Sequence, residues 1–165
     1  MQLEVRTPGH VYCKVAVSHR GARIVACAEG ELFVWDGVTG KLHRRFTLSS
    51  RREALALLPG GRHVAAVSAS EASVWDTESG ERLFALESDG WLLEHLAQGR
   101  IAASSCGNVL AACGYKRISG ADAYTRYVLA MWDSRSGRIL LRTERRQATR
   151  VPDCAVAAAP LPSMA

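Results

Sequence analysis

The sequence predicts an all-β fold built from one four-stranded unit repeated three times. Three observations carry this. First, Phe33-Val34-Trp35-Asp36-Gly37-Val38-Thr39-Gly40 returns as Ser73-Val74-Trp75-Asp76-Thr77-Glu78-Ser79-Gly80 and as Ala130-Met131-Trp132-Asp133-Ser134-Arg135-Ser136-Gly137, and three of the four tryptophans hold this one position. A strand ending in Trp-Asp, a turn closed by Gly and a following strand account for the pattern. Second, each copy is preceded by two short apolar segments around a Gly turn. Third, the spacing is strict: Gly21 to Trp35 and Gly61 to Trp75 are both 14 residues, and Trp35 to Trp75 is 40.

The elements follow in order. Met1 to Thr7 alternates weakly, as the last strand of a preceding unit or the strand closing a ring would. The first unit has Val15-Ala16-Val17, the turn at Gly21, Ile24-Val25-Ala26-Cys27, the turn at Glu29-Gly30, the Trp35-Asp36 strand and an outer strand over Lys41–Phe46. That outer strand is polar on one face, as an edge should be. The second repeats this with Ala54-Leu55-Ala56-Leu57, Gly60-Gly61, Val64-Ala65-Ala66-Val67 and Trp75-Asp76. The third has Ile101-Ala102-Ala103, Gly107, Val109 to Cys113 and Trp132-Asp133. Four short strands in a unit of about 40 residues describe a propeller blade. The predicted blades cover about 9–47, 51–87 and 100–143, giving a partial propeller over 1–146. Residues 147–165 form a tail or the cut first strand of a fourth blade. Propellers close with roughly four to eight blades, so three leave open faces. The expectation is a fragment or short isoform of a larger propeller protein, or a chain that self-associates.

On these three Trp-Asp repeats, in register with their upstream strands, the chain resembles the WD-repeat family from about Gly9 to about Arg146. In that family a Gly-His pair precedes the innermost strand, and its His joins a hydrogen-bonded tetrad with a Ser/Thr, an Asp and the Trp. Gly9-His10 and Trp35 match. Ala26 and Glu29 stand at the Ser/Thr and Asp positions, and Ala69 takes the Asp position of the second blade. That blade also lacks Gly-His, so packing is expected to hold it. The resemblance implies a non-catalytic protein-interaction scaffold whose partners are other proteins.

The third unit departs from the pattern. Trp75 to Trp132 is 57 residues, 17 more than the first step, divided into 6 before Gly107 and 11 after it. The insertions fall near Glu87–Arg100 and Gly114–Tyr127. Antiparallel connectivity opens both loops on the same rim. In the first, Trp91-Leu92, His95 and Leu96 fit a short helix capped near Asp89. The second holds Tyr115, Lys116, Arg117, Tyr124, Arg126 and Tyr127. Trp, Tyr and Arg concentrate binding energy at interfaces, so Trp91, Tyr115, Arg117, Tyr124, Arg126 and Tyr127 are the candidate partner-binding residues. The plainer alternative is an elongated hairpin whose tyrosines pack on neighbouring loops. A basic, tyrosine-bearing loop also fits a second class, single-stranded nucleic-acid (RNA) binding. His10, Trp35, Asp36, Trp75, Asp76, Trp132 and Asp133 are read as structural positions of the repeat.

Composition bounds the rest. The 165 residues are 48% hydrophobic and 22% charged, with net charge +5, which permits an acidic partner without requiring one. Five cysteines show no C-x-x-C or metal spacing; Cys27 and Cys113 occupy one repeat position inside an apolar strand, as core thiols would. Without a secretion signal, the cysteines predict a cytoplasmic or nuclear protein. No apolar run reaches a membrane span. No phosphate-binding loop, metal motif or nucleophile elbow is present, so no cofactor and no enzymatic activity are expected. His43 and His63 have no evident partner.

Overall fold

The computed structural model describes residues 14–18, 20–28, 30–48, 54–68, 70–96, 99–118 and 124–148. His10, Glu29, Ala69, the N-terminal strand and the tail from 149 onward lie outside them. The described elements are twelve strands and one helix. They run β1 (Lys14–Val17), β2 (Arg23–Ala28), β3 (Glu31–Asp36), β4 (Leu42–Thr47), β5 (Ala54–Leu57), β6 (His63–Val67), β7 (Ala72–Asp76) and β8 (Arg82–Ala85), then α1 (Gly90–Leu96), β9 (Arg100–Ala103), β10 (Val109–Ile118), β11 (Tyr124–Asp133) and β12 (Ile139–Ala148). They form three antiparallel sheets of four sequential strands, β1–β4, β5–β8 and β9–β12. The all-β fold is an open stack of three propeller blades. The outer strand β12 runs on through Gln147 and Ala148, residues the sequence reading placed in the tail.

The recurring Asp explains the recurring turn. Asp36 Oδ1 accepts the Val38 and Thr39 N–H groups at 3.1 and 2.8 Å and the Thr39 hydroxyl at 2.9 Å. Asp133 does the same with Arg135, Ser136 and the Ser136 hydroxyl, and Asp76 with Glu78 and Ser79. The closing glycines donate back to the Asp carbonyl at 2.8–2.9 Å. They do so at φ of 69°, 75° and 73°, where a side chain is strained. The residue after each Asp clips this turn to the turn between the blade's first two strands. Thr77 Oγ1 donates to Gly61 O at 2.9 Å, and the Ser134 hydroxyl donates to Gly107 O. At Gly37 a Cβ would collide with Gly21 O, so only glycine fits.

Alternating side chains make two blade-to-blade cores. Val25, Cys27, Leu32 and Val34 of the first blade pack against Leu55, Leu57, Val64 and Ala66 of the second, with Trp75 stacked on Phe46 at 5.6 Å. The opposite face of the second blade, through Ala65, Val67, Ala72 and Val74, meets Leu110, Ala112, Val128, Ala130 and Trp132 of the third. Trp75 and Trp132 therefore each face the preceding blade. Trp35, packed with Phe33 at 5.7 Å, is also buried. Exposure rises at the ends of the stack. Leu129 and Leu141 on the far face of the third blade are 36% and 45% exposed, and Val15 on the inner strand of the first is 62% exposed, against 8% for its counterpart Leu55. Cys27 is buried, but Cys113 is only half-buried, because it lies on that far face.

Polar contacts hold the blades more than the sequence reading allowed. Glu78 binds Arg23 and His43 of the first blade at 2.6 and 2.8 Å, and His63 Nε2 lies 3.9 Å from Asp76. His43 thus has a hydrogen-bond partner after all, and it comes from a turn of the next blade. The second blade is not held by packing alone. Its Asp76 is buried, and accepts from Arg62 Nε at 2.9 Å. The Ser79 N–H, then Arg62 and the Glu78 N–H, hold the Asp76 carboxyl down at about 2. A carboxylate ordinarily titrates near 3.9 when unfolded, so the unfolded chain takes up this proton first. Stability from Asp76 is full above about pH 5 and is lost progressively as pH falls through 4 and then 2, about 2 kcal/mol in all. Acid titration of unfolding free energy should show a shallower decline over that window in Asp76→Asn than in the parent chain. Equal declines would contradict this assignment.

Candidate interaction site on the third blade

The two insertions form one structure. The first is α1, and Asp89 caps it by accepting the Leu92 N–H at 2.7 Å. The helix buries Leu92, Leu93, His95 and Leu96. His95 Nδ1 hydrogen-bonds the Trp91 carbonyl at 2.7 Å, while its buried Nε2 has no partner. A Cβ on Gly114 would strike the His95 carbonyl, so this glycine lets the helix sit directly on β10. Glu94 pairs with Lys116, and this pairing lowers the Glu94 carboxyl.

In its described residues the second insertion is paired strand, as the elongated-hairpin alternative for Gly114–Tyr127 expects. β10 and β11 stay paired from Val109↔Asp133 to Ile118↔Tyr124, and β12 follows β11 out to Tyr124↔Ala148. Extra strand pairs satisfy the backbone hydrogen bonds that a long loop would leave to water. The three strands thus extend beyond the four-residue inner strand β9 as an arm.

Strand alternation divides the six candidate residues. Tyr124 and Arg126 share one face of the arm with α1, and Trp91 joins them there: the Arg126 guanidinium lies 5.6 Å from the Trp91 ring and 5.8 Å from the Tyr124 ring. Tyr115, Arg117 and Tyr127 point to the other face, where Tyr115 and Tyr127 approach at 6.2 Å. The sequence reading missed further members of the first group. Arg142 lies 4.5 Å from the Trp91 ring and 2.8 Å from Asp89, and Arg146 lies 5.4 Å from the Tyr124 ring. Arg142 holds the Asp89 carboxyl below its ordinary range. The order is a ladder, Arg142–Trp91–Arg126–Tyr124–Arg146, in which guanidinium and aromatic ring alternate. Its only sequence signal was the alternation of Arg142, Glu144 and Arg146.

Among the described residues no group of three His, Cys, Asp or Glu side chains could hold a metal ion, and no helix is long and apolar enough to cross a membrane.

The architecture belongs to a known class. No family model matches the chain, and no curated protein matches it. Among solved structures, it aligns with a chain in the crystal structure of the mitotic checkpoint complex at a TM-score of 0.62 and 18% identity, over 84% of this chain and 38% of that one. It aligns with the computationally designed Ika4 protein at a TM-score of 0.59 and 21% identity, over 87% and 79%. A chain of Kuenenia stuttgartiensis hydrazine synthase aligns at 0.50 and 13% identity, over 85% and 53%. At such identities the likeness establishes the fold, a β-propeller architecture, and nothing finer.

Proposed function

We propose that this chain is a non-catalytic protein-interaction scaffold of the WD-repeat type, with the arm and α1 of the third blade as its docking surface. One observation carries the reading: Trp91, Tyr124 and Arg126, residues of the kind that anchor interfaces, are held together at a partly exposed surface by paired strands and a packed helix. Side chains already fixed in place lose little entropy on binding. The blades supply the rigid support, and the Trp-Asp positions of the repeat keep a structural role. The partial propeller of this reading runs to the end of β12, and partners come from other proteins or from further blades, in the cytoplasm or nucleus.

Nucleic-acid binding is the weaker alternative. Stacking of bases needs open aromatic faces, whereas Trp91 and Tyr124 each carry two guanidiniums.

The test is partner capture from native lysate with the parent chain, with Trp91→Ala/Tyr124→Ala, and with Leu129→Ala as a control away from the ladder. The parent and control should retain a common set of partners that the double variant loses. Retention of every partner by the double variant, folded by circular dichroism, would sink the assignment of this surface.

A further inference from the structure

We infer that the ladder face of the arm binds a carboxylate-rich segment of a partner protein. This rests on the docking surface proposed above and adds the chemistry of what docks. The observation is an opposition of like charges. Lys116 pairs directly with Arg126, and Arg126 directly with Arg146, so three cations stand in one row across β10, β11 and β12. Like charges directly opposite each other on a sheet destabilise it. Only part of the row is compensated. Glu94 takes Lys116. Arg126 has Glu144 no closer than 3.9 Å, and Arg146 has no carboxylate partner among the described residues. The Arg126 Nε is buried without a hydrogen-bond acceptor.

Aromatic stacking turns this cost into a binding device. The Tyr124 ring has the Arg126 and Arg146 guanidiniums at 5.8 and 5.4 Å, the Trp91 ring has those of Arg126 and Arg142 at 5.6 and 4.5 Å, and Arg126 Nη2 also donates to the Tyr124 hydroxyl at 3.1 Å, so the rings hold the arginines at this face. Arg146, with no carboxylate among the described residues, keeps N–H donors for an outside acceptor, and carboxylates match the guanidinium fork. An acidic side chain lying between Arg126 and Arg146 would neutralise the row and leave the rings where they are. A nucleic-acid strand would have to displace arginine from the rings to stack.

The experiment measures fluorescence anisotropy of the full 165-residue chain with three labelled probes: a Glu/Asp-rich peptide, the same peptide with Gln/Asn, and a single-stranded oligonucleotide. Thermal unfolding of the free chain is measured alongside. The acidic peptide should bind, and weaken with added salt, while its amide counterpart should not. Arg146→Gln should weaken that binding about tenfold, the loss of one charge-assisted pair. The same change should leave the free chain as stable as before or more so, because it removes a like-charge contact. A purely structural arginine would give the reverse, lower stability with unchanged binding, and that result overturns the inference. Equal binding of acidic and amide peptides, or preferential binding of the oligonucleotide, overturns it too. In those cases partner capture still decides the docking surface separately: loss of partners from Trp91→Ala/Tyr124→Ala keeps the surface and discards the acidic ligand.

Discussion

Trp132→Ala is expected to lower the unfolding free energy by about 3–5 kcal/mol, the range for removing a large aromatic from a packed core. Trp132 is fully buried. It belongs to the core cluster that also holds Leu92 and Leu96 of the helix, Leu110 of its own sheet and Val74 of the second blade. Its indole N–H donates to the Glu87 carbonyl at 2.8 Å. Glu87 also receives the Ile139 N–H on its carboxylate, and its own N–H donates to Gly137 O. One side chain therefore ties the third blade to the end of the second, within a cluster shared with the helix. Trp132→Phe should recover most of this packing, leaving chiefly the net cost of one hydrogen bond, about 1 kcal/mol. Trp75, which is half-buried against Phe46, should cost less on truncation than Trp132. Urea unfolding of the three variants checks the order. A Trp132→Ala cost below that of Trp75→Ala would mean that the second and third blades do not pack as described.

The second large effect separates two leucines with the same place in the repeat. Leu32 pairs with Cys27 across its sheet, and Leu129 pairs with Cys113. Each points toward the position of the following blade. For Leu32 that position is filled by the second blade, and the side chain is fully buried; Leu129 is 36% exposed. Equal sequence positions thus carry unequal energies. Leu32→Ala should cost about 2–5 kcal/mol through lost transfer energy and an unfilled cavity. Leu129→Ala should cost under about 1 kcal/mol, because a half-solvated site leaves no cavity.

Much of the fold could be read from the residues themselves. The Trp-Asp-x-x-(Thr/Ser)-Gly motif records a local event, an Asp carboxylate gathering the N–H groups of its own turn, so three copies announce three turns. The helix was legible for the same reason, since Asp89 and the apolar spacing of Trp91, Leu92, His95 and Leu96 all act within one turn or two. The arm stood only as one of two alternatives. Tyr124, Arg126 and Tyr127 show no apolar alternation, because one face is lined by arginines and a helix instead of by core. Their strand character comes from pairing with β10 and β12.

The ladder was hidden for a related reason. Arg142 and Arg146 reach Trp91 and Tyr124 through the register of β12 on β11, and that register shifts at a bulge between Met131 and Trp132. Counting residues cannot foresee such a slip. His43 and Arg23 found Glu78 across a blade boundary, a contact set by how blades stack. Glycines carried part of the missing information. Gly37 and Gly114 stand where another chain segment touches the backbone, but a sequence alone does not say which glycines are crowded.

The central claim is that the three repeats stack in chain order, with the far face of the last blade left partly open. Parallel urea unfolding of Leu32→Ala and Leu129→Ala tests it most directly. The account predicts that Leu32→Ala loses at least about 2 kcal/mol and Leu129→Ala less than about 1 kcal/mol. Equal losses at both positions would contradict it, because Leu129 would then be as deeply buried in solution as Leu32.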